Sequence, residues 1–206
     1  MRFGSGPLNK YEYASTIAVS LAYLLLRQQD AVGCTAFDET IRHQVPPRTK
    51  RTHLGSVIQA LDVSHPRDKT DLSRVLRDVT EETPRRGMVV VISDLLVPRK
   101  GLFSGIKMLR QRGHDIMIFH VLADEEIDFP YSGPTRFEGL ESTDQLNCNP
   151  RALRDGYLEA LEGYLDEVRR GCAKNAVDYA LIRTSDPLDA ALAAYLCNRL
   201  GMHHRN

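Results

Sequence analysis

Two short apolar runs constrain this fold more than anything else in the chain. Gly87–Ser93 reads GMVVVIS and Asp115–Leu122 reads DIMIFHVL. Neither alternates between apolar and polar residues. Continuous runs of this kind predict strands buried on both faces, as in a parallel sheet. Parallel neighbours need crossover connections, which helices supply. Gly101–Arg112 reads as such a helix, with Gly113 as its C-cap.

The rest of the chain continues the alternation. Tyr11–Leu26 predicts a helix that is apolar nearly all round, hence largely buried, with Asn9 as N-cap and Glu12 three residues on. Ala31–Phe37 and Thr40–Val45, joined by a tight turn at Asp38 and Glu39, predict an antiparallel hairpin that Pro46 and Pro47 end. Short helices are expected over Thr52–Leu61 and from Thr70 or Asp71 to about Glu82. Residues 124–148 show no helical period and read as an irregular excursion with one small hairpin. Then come a long helix from Pro150 to Arg170, a strand over Val177–Arg183 and a helix over Pro187–Leu200. The class is α/β: a doubly wound, mostly parallel open sheet with one antiparallel edge strand and helices on both faces. In such sheets a Gly-rich loop entering a helix follows a strand. Here the loop opens the chain, so that central strand is expected to be absent.

Composition excludes several functions. The 206 residues suit one domain, 1–206, and carry 27 basic against 27 acidic side chains, which excludes a generally basic nucleic-acid binder. The most apolar stretch, Ile17–Leu26, is broken by Ser20 and falls short of the roughly 20 residues a membrane span needs. The start is Gly-rich rather than basic, unlike a signal peptide, so the expected location is cytoplasmic. Cys34, Cys148, Cys172 and Cys197 form no C-x-x-C pair, and Cys34 and Cys197 read as core residues.

Asp94, directly after the GMVVVIS strand, is the leading functional candidate. Open α/β sheets bind ligands at the carboxyl ends of their strands, and a carboxylate there can hold Mg²⁺. It can equally be a turn or capping residue. Thr70 and Asp71 open a helix, where a hydroxyl can ligate a cation or simply cap. Asp186 follows the last strand in a similar position, but Pro187 makes a cap the simple explanation. Asp94, Asp71 and Asp186 together would suit a metal-dependent phosphohydrolase or nuclease. No phosphate-cradling loop, G-x-S-x-G elbow or H-E-x-x-H spacing accompanies them. His120 lies inside a buried strand and reads as a satisfied core histidine. The basic runs at Arg48, Lys50 and Arg51, and at Arg85 and Arg86, read as solvated faces able to meet an acidic partner.

An ordered series of short segments points further. Gly4-Ser5-Gly6 is followed by Lys10-Tyr11-Glu12-Tyr13-Ala14, Ser20-Leu21-Ala22-Tyr23-Leu24 and Gln29-Asp30-Ala31-Val32-Gly33. Thr70-Asp71-Leu72, Val91-Ile92-Ser93-Asp94, Arg112-Gly113-His114-Asp115, Asp124-Glu125-Glu126 and Phe137 to Glu141 come after. The series resembles the C-terminal part of the domain-of-unknown-function family number fifty-eight, whose members carry a von Willebrand factor A-like domain. It covers essentially the whole chain.

The resemblance implies a Rossmann-like sheet and a metal-ion-dependent adhesion site. That site takes a D-x-S-x-S motif after the first strand, a Thr matched by Thr70 and an Asp matched by Asp94. The chain departs from it, since no D-x-S-x-S occurs; Asp62-Val63-Ser64-His65-Pro66 and Asp71-Leu72-Ser73-Arg74-Val75 both fail at the final serine. The expectation is an N-terminally truncated domain that binds Mg²⁺ weakly or not at all. The resemblance also implies a non-enzymatic protein–protein interaction module partnered by a MoxR-type AAA+ ATPase, in assembly or maturation of other proteins. The alternatives are the metal-dependent enzyme centred on Asp94 and a degenerate fragment without independent function.

Overall fold

A computed structural model describes residues 1, 3–4, 6–64, 71–83, 86–133, 135–138, 145–189 and 193. Helix α1 (Lys10–Arg27) begins where the sequence places its cap. The Asn9 side chain accepts from the Glu12 amide, and the Glu12 carboxylate accepts from the Asn9 amide, so two orphan donors are satisfied reciprocally. Strands β1 (Val32–Phe37) and β2 (Ile41–Arg48) pair antiparallel, as expected. β2 does not stop at Pro46, however; it runs through both prolines to Arg48. It is an outer strand, mostly exposed, where a missing donor is tolerated. Opposite the prolines the ladder shifts register between Val32 and Cys34. Gly33 sits at that shift, and a Cβ there would lie 3.0 Å from the Val45 carbonyl and 3.1 Å from the Pro47 ring. The absence of a side chain lets the two strands close.

Helices α2 (His53–Val63) and α3 (Leu72–Glu82) follow, and Asp71 caps α3 by accepting from the Arg74 amide. β3 (Met88–Ser93), β4 (Asp115–Leu122) and β7 (Asp178–Arg183) form a three-stranded parallel sheet in the order β3-β4-β7. α4 (Arg99–Gln111) crosses from β3 to β4, and α6 (Pro150–Lys174) leads into β7. The excursion is more regular than expected. It opens with a short helix, α5 (Asp124–Asp128), before the hairpin of β5 (Thr135–Glu138) and β6 (Gln145–Cys148). The helix expected over 187–200 lies largely outside the described residues.

The core shows why β4 reads as it does. Ile116 and Ile118 pack on one face of the sheet with Leu72 and Leu76 of α3, Leu102, Ile106 and Leu109 of α4, and Val168 and Cys172 of α6. Met117, Phe119 and Val121 pack on the other face with Tyr13, Ala14, Ile17 and Leu21 of α1. Strand residues alternate between faces, so a strand covered by helices on both sides must be apolar throughout. The α3–α4 contact on the first face is close: a Cβ on Gly105 would fall 2.7 Å from the Leu76 Cβ. The β1-β2 hairpin packs separately, with Val32 and Ala36 against Ala22 and Leu26 of α1 and Val57 and Leu61 of α2. The fold is mixed α/β with helices on both sheet faces. One feature differs from a single open sheet: among the described residues no ladder joins the hairpin to the parallel strands.

Candidate functional site

The carboxyl ends of β3 and β4 carry the most constrained cluster in the chain. β3 ends at Ser93, so Asp94 emerges at the tip of the sheet, largely buried. Its Oδ2 accepts from the Lys10 ammonium at 3.0 Å and from the Met1 amino group at 3.1 Å. Lys10 is 1% exposed, among the largest fully buried side chains of the described residues. Its Nζ also lies 2.7 Å from Oε1 of Glu126 on α5. One ammonium thus bridges two carboxylates from different elements. Burial pushes the Asp94 carboxyl up, but the charges and hydrogen bonds of Lys10 and the Met1 amino group outweigh it and hold it below the ordinary value.

The backbone around Asp94 is held as firmly as its side chain. His120, 0% exposed on β4, places Nε2 3.0 Å from the Asp94 carbonyl and Nδ1 2.8 Å from the Tyr179 hydroxyl. A carbonyl only accepts, so Nε2 carries the proton and Nδ1 accepts from Tyr179. Burial keeps this imidazole neutral, pushing its pKa down to about 4. His120 is therefore a satisfied core histidine, and its role is to pin the Asp94 carbonyl.

Leu95 is the strained link. It takes a left-handed conformation, φ 50°, unusual for a residue with a branched side chain, and its side chain is fully buried. Its amide donates to Ser93 Oγ at 3.1 Å, and its carbonyl accepts from the Tyr164 hydroxyl and from the Val97 amide. Strain of this kind persists where the surroundings over-determine it, commonly at functional sites. Its consequence is geometric: the next residue, Leu96, is turned out and is 64% exposed.

The sequence candidates do not converge. Asp71 spends its carboxylate on the α3 cap. Asp186 accepts from the Arg183 amide, three residues before it, at 2.8 Å, and so holds the turn that follows β7. Thr70 lies outside the described residues. Among the described residues no group of three His, Cys, Asp or Glu side chains is placed to hold a metal ion. Magnesium takes oxygen ligands at about 2 Å. One Asp94 oxygen, Oδ2, already accepts from two ammonium groups. On that oxygen the cations of the chain itself stand where a magnesium ion would.

Lys10 and Glu126 received no role from the sequence, although both stand in the segments that carry the family resemblance. Lys10 left one signal: it is a charged residue opening a helix that is otherwise apolar nearly all round. Glu126 left a weaker one, lying three residues after Ala123, whose amide its Oε2 accepts at 2.8 Å. The meeting of the two carboxylates on one ammonium is a tertiary fact with no local trace.

A family model described as "Protein of unknown function DUF58" matches residues 1–163. Uncharacterized proteins of Mycobacterium tuberculosis and Mycobacterium bovis are each 22% identical over 202 residues, which is 96% of this chain. The chain spans 63% of the length of these relatives. Among solved structures, the conserved hypothetical protein BatB from Bacteroides thetaiotaomicron matches with a TM-score of 0.57 and 16% identity, covering 95% of this chain and 90% of that one. An aerotolerance-related membrane protein from Bacteroides fragilis, with multiple mutations to serines, matches with a TM-score of 0.57 and 15% identity, covering 92% and 87%. At these identities the likeness is one of fold. No helix among the described residues is long and apolar enough to cross a membrane.

Proposed function

The chain belongs to the DUF58 family, and from that premise we propose that it is a non-enzymatic, von Willebrand factor A-like interaction module. Its binding face is the rim around Asp94, and its partner is a MoxR-type AAA+ ATPase acting in assembly or maturation of other proteins. The observation that carries this reading is the Ser93–Pro98 loop. A left-handed, fully buried Leu95 is locked by three hydrogen bonds and turns Leu96 outward beside the carboxylate cluster. An exposed apolar residue on a rigid base is the form that interface anchors take. The polar groups beneath are committed to one another, which suits a scaffold better than a reaction centre. The fold likeness to BatB and to an aerotolerance-related membrane protein supports the reading as far as fold can.

Leu96→Asp tests it. Binding of a purified MoxR-type ATPase, measured by calorimetry, should weaken at least about tenfold, since a central apolar anchor carries about 2 kcal/mol or more. The melting temperature should stay within about a degree, because the residue is already in solvent. Unaltered binding, or no binding by the parent chain, would overturn the proposal. Turnover of a simple phosphoester with Mg²⁺ or Mn²⁺, lost in Asp94→Ala, would replace it with the metal-dependent enzyme.

A further inference from the structure

We infer that Lys10 is the resident cation of the Asp94 site. Its ammonium supplies the positive charge that a divalent ion supplies in a metal-ion-dependent adhesion site, and the face is therefore independent of divalent cations. This deepens the interaction reading, but what it says about Lys10 stands on the geometry alone.

Each of the three charged groups is fixed twice. Lys10 is set by the capped start of α1, and its amide donates to the Phe3 carbonyl at 3.1 Å. Glu126 gives one oxygen to Lys10 at 2.7 Å and the other to the Ala123 amide at 2.8 Å. Its carbonyl accepts from the Tyr157 hydroxyl at 2.7 Å. Asp94 gives its carboxylate to Lys10 at 3.0 Å and to the Met1 amino group at 3.1 Å, and its carbonyl to His120 at 3.0 Å. Three elements, α1, the β3 exit and α5, thus meet on one nitrogen. A surface lysine visits many rotamers, whereas this one is 1% exposed and has a carboxylate on each side. A divalent ion about 2 Å from Asp94 Oδ2 would press its charge against an ammonium 3.0 Å from the same oxygen. Two cations that close repel, so at Oδ2 an ion and the lysine compete for the same oxygen. The lysine is covalently present at all times, which gives it the advantage.

The test uses Mn²⁺ as a spectroscopic stand-in for Mg²⁺. With the unaltered chain, the electron paramagnetic resonance signal of Mn²⁺ should remain that of the free ion into the millimolar range. The melting temperature should be the same in Mg²⁺ and in chelator. Lys10→Met takes the ammonium from Glu126 and leaves Asp94 with the Met1 amino group alone, and should lower the melting temperature by about 5–10 °C. That variant should now bind Mn²⁺ and regain part of its stability in Mg²⁺. Mn²⁺ bound by the unaltered chain, or a Lys10→Met variant as stable as the parent, would overturn the inference. So would a destabilised Lys10→Met that ignores both ions, since Lys10 would then be an ion-pair partner and nothing more. If Lys10→Met does not fold, Glu126→Gln keeps the Lys10–Asp94 pair. It should melt a few degrees lower and still leave Mn²⁺ free; bound Mn²⁺ or an unchanged melting temperature would count against the inference. None of these readouts involves the partner, so their failure is separable from that of the Leu96 experiment.

Discussion

β3 and β4 lie side by side in register, Met88 against Asp115 through Ser93 against His120, and their sequences are close to interchangeable in character. Their environments are not. Seven of the eight β4 residues are buried, while in β3 only Val91 and Ser93 are. The difference is one of neighbours. β4 has β3 on one side and β7 on the other, whereas among the described residues β3 ends the sheet. Helices cover both faces of each strand, but only a further strand can close the side of β3. Apolar sequence therefore states what a strand can tolerate, and topology states what it receives.

The largest expected effect comes from deleting a side chain on each strand at the same rung. Phe119 of β4 is 0% exposed and faces Ile92 of β3 across the ladder. Phe119→Ala should cost about 3–5 kcal/mol in denaturant unfolding. Ile92 is half-buried, and Ile92→Ala should cost about 1–2 kcal/mol. Equal losses would mean that β3 is as enclosed as β4, and the contrast would fail.

A second contrast lies at the rung of Ser93 and His120. His120 titrates near 6.5 when unfolded and is pushed down to about 4 when folded. The unfolded chain then binds more protons between these values, so stability falls as pH drops from about 6.5 towards 4, by up to about 3 kcal/mol. Asp94, held below the ordinary carboxylate value, adds its loss in a lower window, as pH falls through its depressed pKa. Urea unfolding at a series of pH values should show the upper slope, and His120→Asn should flatten it. A slope that survives the substitution would place the titrating group elsewhere.

The smallest effect separates open from closed packing by one hydroxyl. Val121→Thr puts it on a fully buried β4 position and should cost about 1–3 kcal/mol. Val90→Thr puts it on half-buried β3 and should cost about 0.5 kcal/mol. A reversed order would show that the Val90 side chain is more tightly enclosed than that of Val121.

These contrasts mark what was legible beforehand. The order of helices and strands follows from apolar period and punctuation: Asn9 and Glu12 cap α1, Asp71 caps α3, and Gly113, at φ 86°, follows α4. Local chemistry determines such features, so local sequence shows them. Pro46 and Pro47 signal a strand end that β2 does not have, because proline ends a strand only where its missing donor is needed. That need depends on the partner, and here Gly33 lets the partner adjust. The five-residue α5 escaped because one turn has no period to detect. The site was half legible. Asp94 follows from its place after a buried strand, and His120 from its place inside one. Lys10 and Glu126, 116 positions apart in the chain, meet only in the folded molecule.

The two prolines of β2 have a last consequence, for how copies of this chain can associate. Successive residues of a strand aim their amides to opposite sides, so one of two adjacent prolines removes a donor from the outward edge of β2 whatever the register. β3 carries no such interruption. Strand addition is thus disfavoured at the outer edge of β2 and not at β3, which ends the parallel sheet among the described residues. Fibrils or oligomers grown from this protein should bury β3 and leave β2 accessible to protease.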